Sequence, residues 1–84
     1  MSDEVEVWFV HREYTDKGLL TLEYATSDGS RTFVKQISPN APDPTAAKLV
    51  DEADLQPVDD PDEQERFQSE VARMQDRHDP DDTV

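Results

Sequence analysis

Four apolar residues in succession, Val7–Val10, constrain the fold of this chain more than any other feature of its sequence. They lie in the stretch VWFVHREY, whose β-branched and aromatic residues predict a β-strand. Successive side chains of a strand point to opposite faces of a sheet, so a strand with one solvated face alternates apolar and polar residues. Here both faces carry apolar side chains, and each face therefore needs a packing partner.

Two turn signals predict that this strand belongs to an antiparallel meander. Asp16-Lys17-Gly18 is typical of a three-residue hairpin loop, and Asp28-Gly29 is a strong two-residue hairpin signal. The chain has only two glycines, and both stand where a hairpin requires a positive φ angle. The predicted strands are Glu4–Thr15, Leu19–Ser27 and Ser30–Ser38.

The turns also predict the register of the sheet. The first turn places Val10 opposite Tyr24 and His11 opposite Glu23. The second turn places Tyr24 opposite Phe33. A slip of one residue in this register would exchange the two faces of the sheet. One face then holds the predicted core, which is Trp8, Val10, Leu20, Leu22, Tyr24, Phe33 and Ile37. The other is half apolar and forms a predicted dimer or partner face, whose members are Val5, Val7, Phe9, His11, Glu23, Ala25 and Val34.

The second half of the chain predicts helices instead of strands. The amino-acid composition of the chain changes at residues 39–44, a proline-rich joint that stops both strand and helix. Asp43-Pro44 is typical of a helix N-cap followed by proline, and it predicts a short helix ending near Asp54. Asp60-Pro61 has the same pattern of N-cap and proline, and it predicts the start of a second helix. The apolar stripe of this second helix recurs at helical spacing in Phe67, Val71, Met74 and His78.

These elements predict one α+β domain over residues 1–84, a three-stranded antiparallel β-meander followed by two α-helices packed on one face. Within it, residues 1–38 form the meander, residues 39–44 the joint and residues 45–78 the two helices. Residues 79–84 have nothing apolar to bury, and we expect them to be a frayed acidic tail.

The charge of the chain is strongly negative. Its formal net charge is -13, with 21 acidic and 8 basic residues, and only 3 of the basic residues are lysines. Such a chain is either disordered or folded and adapted to high salt, where a Debye length of about 3 Å at 1 M screens repulsion. The organised apolar pattern favours a halophilic folded protein. Its charge argues against partners such as nucleic acid or an anionic membrane, because both require a basic surface.

The chain contains no cysteine, which excludes disulfides and thiolate zinc sites as a means of stabilising so small a core. The N-terminus, MSDEVEV, is acidic where a signal peptide needs basic residues. No apolar run approaches the roughly 18 residues of a membrane span. We therefore expect a cytoplasmic protein.

The predicted helices carry enough apolar side chains for one face of the sheet only. Burying five apolar side chains of the other face, at about 1.5 kcal/mol each, contributes on the order of 7 kcal/mol before the entropic cost of association. A symmetric homodimer through this face is therefore the expected arrangement. Two alternatives stay open. In one, the first strand curls and the loop Ser38–Pro44 covers the second face; in the other, a different protein covers it.

Few residues suggest chemistry. His11 and Glu23 form an acid–base or metal-ligand pair only if a third group joins them, so a cross-strand charged pair is the favoured interpretation. His78 with Asp79, Asp81 and Asp82 is rich in oxygen ligands but matches no calcium-loop spacing. No phosphate loop or hydrolase motif is present. We expect no enzyme, no catalytic residue, no cofactor and no bound metal.

Two stretches, WFVHREYTDKGLLTLEYATSDG and LQPVDDPDEQERFQSEVARMQDRHDP, together with the aspartate-rich, lysine-poor composition, resemble small conserved uncharacterised proteins of haloarchaea. The resemblance implies a cytoplasmic, salt-adapted protein and carries over no site residues. The predicted function is thus that of an uncharacterised small halophilic protein acting by self-association or protein–protein interaction. The alternative is an acidic regulator that mimics nucleic acid and masks a basic surface of another protein.

Overall fold

The computed structural model describes residues 3–84 and contains an antiparallel sheet and a helix, so the predicted α+β class is confirmed. Residues 1 and 2 of the predicted domain lie outside the described part. The strands are β1 (Glu4–Tyr14), β2 (Leu20–Ala25), β3 (Arg31–Ile37), β4 (Ala47–Asp51) and β5 (Gln56–Pro57). A 3₁₀ turn covers Glu52–Asp54, and the helix α1 spans Pro61–Arg77. The strand order in the sheet is β4-β1-β2-β3-β5.

The predicted meander is confirmed by β1, β2 and β3, each of which lies within its predicted bounds. Both glycines have a positive φ, 78° at Gly18 and 72° at Gly29. In the first hairpin the Thr15 amide donates to the Leu19 carbonyl oxygen over 2.8 Å. Local turn chemistry therefore fixes the position of these strands.

The predicted register of β1 holds on one side of a bulge only. His11 pairs with Glu23 as predicted, but Phe9, not Val10, pairs with Tyr24, and Val10 is the extra residue between them. A bulge inserts one residue and so reverses the alternation of side chains along the strand. The predicted pairing of Val10 with Tyr24 is wrong for this reason.

The predicted first helix is wrong, because its residues form β4 instead. β4 pairs antiparallel with the free edge of β1, with Val5 opposite Val50 and Val7 opposite Lys48. Over so few residues, helical and extended spacing of apolar side chains are hard to tell apart. The backbone groups on the second edge of β1 need hydrogen-bond partners, and this long-range demand prevails over the local helix signal.

The predicted second helix is confirmed as α1. The Asp60 carboxylate caps it by accepting from the Asp62 amide at 2.9 Å, and a proline occupies its first turn. The helix ends at Arg77, before the predicted stop. Phe67 and Val71 are buried against the sheet, so the predicted apolar stripe faces the core.

The sheet is curled. β4 and β5 are opposite edges of the sheet, yet only residues 52–55 connect them. In a flat sheet of five strands these edges would lie about 19 Å apart, and five extended residue steps span at most about 17 Å, less where the chain forms a 3₁₀ turn. A salt bridge of 3.1 Å between Arg31 and Glu52 joins β3 to this connection. The sheet consequently has a concave and a convex face.

Each face has its own core, which answers why β1 is apolar on both sides. The convex core lies under α1 and consists of Trp8, Ala25, Ala46, Ala47, Val58, Phe67 and Val71. The concave core consists of Val7, Leu20, Leu22, Tyr24 and Val50, with Phe9, Phe33, Ile37 and Leu55 packed against it.

The concave face is covered from within the chain by a proline loop, residues 38–46, which links β3 to β4. Because β1 and β2 lie between those strands, the loop has to pass across the sheet. Ala41, Pro42 and Pro44 lie opposite Leu22 and Tyr24 across a cavity. The structure therefore supports the alternative in which strand curvature and the loop cover the second face.

The acidic tail is ordered, so the prediction of a frayed tail is wrong. Thr83 forms a β-bridge with Thr45, and the Val84 amide donates to the Pro44 carbonyl oxygen at 2.9 Å. The Ala46 amide donates to the Asp82 carbonyl oxygen at 2.7 Å. Val84 also packs against the convex core. The backbone of the chain just before β4 needs a partner, and the tail supplies it.

Candidate functional site

A cavity between the concave face and the proline loop is the candidate site. It measures about 250 Å³ and is called the lysine pocket below. Its lining consists of Leu22, Tyr24, Lys35, Ile37, Ala41, Pro42, Pro44, Thr45 and Lys48. Two of the three lysines of the chain therefore meet at one otherwise mainly apolar cavity.

Strand pairing positions Lys48 in the pocket. Its partner across the β1–β4 ladder is Val7, which belongs to the concave core, so both side chains lie on that face. The Lys48 Nζ atom lies 5.6 Å from the ring centroid of Tyr24 and 5.0 Å from that of Phe33. Both distances are in the range of cation–π attraction. The ammonium is thus held over two aromatic rings.

Lys35 reaches the same cavity from β3, opposite Leu22 of β2. Burial lowers the pKa of Lys48, and the neighbouring charge of Lys35 lowers it further. Neither lysine forms a salt bridge with any residue in the range 3–84. Two like charges therefore share the pocket without a carboxylate between them.

The wider concave face is basic although the protein is acidic. Strand alternation and the observed pairings place its charged strand residues on opposite faces. The concave side carries Arg12, Arg31, Lys35 and Lys48. The convex side carries Glu4, Glu6, Glu13, Glu23 and Asp51. Among these bases, Arg31 has an acidic partner in Glu52 and Arg12 donates to the Val84 backbone oxygen at 3.0 Å, whereas Lys35 and Lys48 both line the pocket.

Aromatic rings pack on both sides of Tyr24, which lies at the base of the pocket. Tyr24 is buried, and Phe9 meets its ring edge to face at 5.7 Å between centroids. Phe33 lies on its other side at 6.0 Å. Burial raises the pKa of Tyr24, and the charge of Arg12 partly opposes that rise. The phenol accordingly stays neutral near pH 7 and offers a ring face and a neutral hydroxyl, not a charge.

The predicted partner face is not one surface in the structure, because the bulge in β1 divides its members. Val5, Val7 and Phe9 lie on the concave side, whereas Ala25 belongs to the convex core with its strand neighbours. Val7 and Ala25 are both 0% exposed. The residues that lie on the convex side are His11, Glu23, Ala25 and Val34. The homodimer itself stays a prediction.

His11 and Glu23 line a second cavity of about 210 Å³ between α1 and the sheet, together with Arg66 and Glu70. The carboxylate that His11 approaches is that of Glu13, at 4.0 Å, and both side chains are largely exposed. Within residues 3–84 no group of three or more histidine or acidic side chains is placed to hold a metal ion. The cavity therefore brings Arg66 and Glu70 near the pair but gives it no third metal ligand within the described residues.

The Asp-rich C-terminal cluster has a structural role in the tail. One oxygen of the Asp82 carboxylate accepts from the Asp79 amide at 2.9 Å and lies 3.7 Å from His78 Nδ1. These contacts close a turn at the end of α1 and direct the tail toward Thr45.

Sequence reasoning missed the lysine pocket. The available signal was the scarcity of lysine, which makes each of the three positions notable. The predicted first helix contains Lys48, so the sequence prediction separates it from Lys35, but this segment forms β4. Only the pairing of β4 with β1 brings the two lysines to one face.

The fold and the site together define a small α+β protein whose curled antiparallel sheet carries a basic pocket on its concave side and one helix on its convex side. A family model covers residues 1–84, and the chain belongs to the Family of unknown function (DUF7967). This confirms the expected membership of an uncharacterised family. A search of curated proteins found no match. A search of solved structures found none either. The one helix of residues 3–84 is too short and too polar to cross a membrane.

Proposed function

We propose that this protein is a non-catalytic binding protein that holds an anionic ligand between Lys35 and Lys48 in the lysine pocket. One observation carries the proposal: the two lysines converge without a carboxylate partner in a chain that has 21 acidic residues. The chain has many acidic side chains that could form salt bridges, but none of those described pairs with either lysine.

The energetics of the pocket support this proposal. Removing an ammonium from water and placing a second one beside it both disfavour the charged form, as the lowered pKa of Lys48 indicates. The two aromatic rings offset only part of this cost. An anion between the lysines reverses the sign of the Coulomb interaction, which salt screens less at the partly buried Lys48 than at the exposed Lys35.

Anion titrations test the proposal. Amide chemical shifts are recorded at a fixed KCl concentration while sodium acetate or phosphate is added to the wild type, Lys35→Gln and Lys48→Gln. Lys17→Gln is the matched control, because it removes the same charge from an exposed hairpin. We expect saturable shifts at pocket residues in the wild type and in Lys17→Gln, and affinity reduced at least tenfold in both pocket variants. Equal titration of all four proteins would contradict the proposal.

The salt-adapted, cytoplasmic character of the protein belongs to the same proposal. The net charge of -13 with only 3 lysines supports it, since such a surface repels itself strongly in dilute buffer. Circular dichroism melting curves across KCl concentrations are the test. We expect the melting temperature to rise steeply up to molar KCl, and a salt-independent melting temperature would contradict halophilic adaptation.

Self-association and the masking of a basic partner also stay proposals. Val34 is the one member of the predicted partner face that is a large, well-exposed apolar side chain, at 46% exposure. Light scattering after size exclusion in molar KCl measures the mass against twice 9.6 kDa. If Val34 contributes to a homodimer, Val34→Asp gives a monomer without loss of fold. A folded wild-type monomer would argue for the acidic surface as the route to a protein partner.

A further inference from the structure

We infer that the ligand of the lysine pocket is a small carboxylic acid with a flat apolar body, and not an inorganic oxyanion. This inference rests on the proposed anion-binding function and deepens it. It follows from the hydrogen-bond donors that the pocket offers, from the chemistry of its walls and from its size.

The pocket offers few donors. Sites for phosphate or sulfate usually surround the anion with backbone amides at a helix N-terminus or with forked arginine donors, and a lysine in such a site adds a point charge to them. Here the roof is the proline loop, in which Pro42 and Pro44 have no amide hydrogen. The hydroxyl of Thr45 already donates to the Ala47 carbonyl oxygen at 2.7 Å. The lysine ammonium groups and the Tyr24 hydroxyl are therefore the remaining side-chain donors of the lining.

The walls suit an apolar body. Leu22, Ile37 and Ala41 contribute aliphatic surface, and the two prolines add rigid rings. An oxyanion such as phosphate presents charged oxygens in every direction, and several of them would lose water against these walls without compensation. A carboxylate presents its charge at one end only, so the lysines can take that end while the walls take the rest.

The aromatic base favours a flat ligand. The Tyr24 ring is fixed by edge-to-face contact with Phe9 and by Phe33, so its position does not depend on a ligand. Planar groups gain from offset or edge-on contact with such a ring. The cavity of about 250 Å³ is near the small end of ligand pockets and accommodates on the order of ten non-hydrogen atoms. Benzoate is a probe of this size and shape.

Four probes separate the contributions of charge and body. Benzoate has both, acetate has the carboxylate alone, benzamide has the flat body without charge, and phosphate has charge without an apolar body. Each is titrated into the full chain at a fixed KCl concentration and at one pH near 7, with amide shifts as the readout. We expect benzoate to bind at least tenfold more tightly than acetate and phosphate, and benzamide not to saturate.

Two variants assign the effect to the pocket. Lys48→Gln is expected to weaken benzoate at least tenfold, with Lys17→Gln unchanged. Ile37→Ala shortens a half-buried wall residue and is expected to reduce the advantage of benzoate over acetate while acetate affinity stays the same. The amide spectra also report whether each variant is folded, and thermal shift in each probe gives an independent measure of binding.

The outcomes keep the two proposals apart. If phosphate or acetate binds as tightly as benzoate in a Lys48-dependent way, the ligand class is overturned and anion binding stands. If benzamide competes with benzoate at equal affinity, charge is irrelevant and both proposals fall. If none of the four probes saturates in the folded wild type, anion binding in this pocket is likewise overturned.

Discussion

Gly29 is where the second hairpin touches helix α1, and replacing it with alanine tests how the convex face is packed. Its φ of 72° is one that alanine adopts at a cost of about 1 kcal/mol. A Cβ atom at this position would also overlap the carbonyl oxygen of Gln64 in the backbone of α1 and meet Gln68 Cγ at 3.0 Å. Backbone atoms of a helix do not move aside singly, so α1 has to shift from the sheet.

That shift has a cost that the structure allows us to bound. Phe67 and Val71 are 5% and 1% exposed, and lifting them loosens the convex core. Overpacking of this kind typically costs 1–3 kcal/mol, so we expect Gly29→Ala to lower the free energy of unfolding by about 2–4 kcal/mol in all. Gly18→Ala is the matched control, because its φ is 78° and nothing lies within 4 Å of the added atom. It should cost only about 1 kcal/mol.

Urea unfolding in molar KCl measures both values. Trp8 is the single tryptophan and is 4% exposed in the convex core, so its fluorescence reports the unfolding of this region. With an m-value of about 1 kcal/mol/M for so small a chain, the midpoints should fall by about 2–4 M and about 1 M. Equal losses for the two glycine variants would refute the close approach of the hairpin to α1.

Three further predictions concern stability. Phe67→Ala should cost about 3–5 kcal/mol in the same assay, because it leaves a cavity beneath α1, whereas Leu49→Ala, at a side chain 60% exposed, should cost under 1 kcal/mol. Hydrogen bonds from Thr26 and Ser30 lower the pKa of Asp28 from 3.8 to about 2. The ionised Asp28 therefore contributes about 1 kcal/mol to the free energy of unfolding after solvent screening, and this contribution is complete above pH 5 and is lost between about pH 4 and pH 2. Asp28→Asn should flatten acid unfolding over that interval, and an unchanged profile would contradict this assignment. Val84→Asp should detach the tail from the convex core, which lowers the free energy of unfolding by about 1–3 kcal/mol and speeds hydrogen exchange at the Ala46 amide. Unchanged exchange at Ala46 would show that the convex core does not hold the tail.

Local signals were sufficient where the chain determines its own geometry within a few residues. Glycine at 18 and 29 marks the two hairpins, because only these turns need a positive φ. The Asp60 cap and the following proline mark the start of α1, and its apolar stripe marks the buried side. The α+β class, three strands and one helix follow from these signals alone.

The bulge at Val10 and strand β4 depend on contacts between distant parts of the chain. No local residue announces the bulge; it shifts the alternation by one residue, so that Phe9 before it and Arg12 after it lie on the same concave face. Residues 47–51 have a pattern that fits helix or strand, and the unpaired edge of β1 decides between them.

The sequence by itself determined the turns, the capped helix, the strong negative charge and the need to cover both faces of β1, since these depend on residue chemistry and short-range spacing. Only the tertiary structure decided what covers the second face: the sheet curls, the proline loop crosses it, and no second subunit is needed to bury Val7. The curling of the sheet and the crossing of the proline loop also form the lysine pocket. Lys35 and Lys48 are 13 residues apart in the chain and meet only because β4 pairs with β1 across the sheet from β3. That pairing satisfies the backbone hydrogen bonds of the β1 edge, and the sequence pattern within a few residues does not predict it.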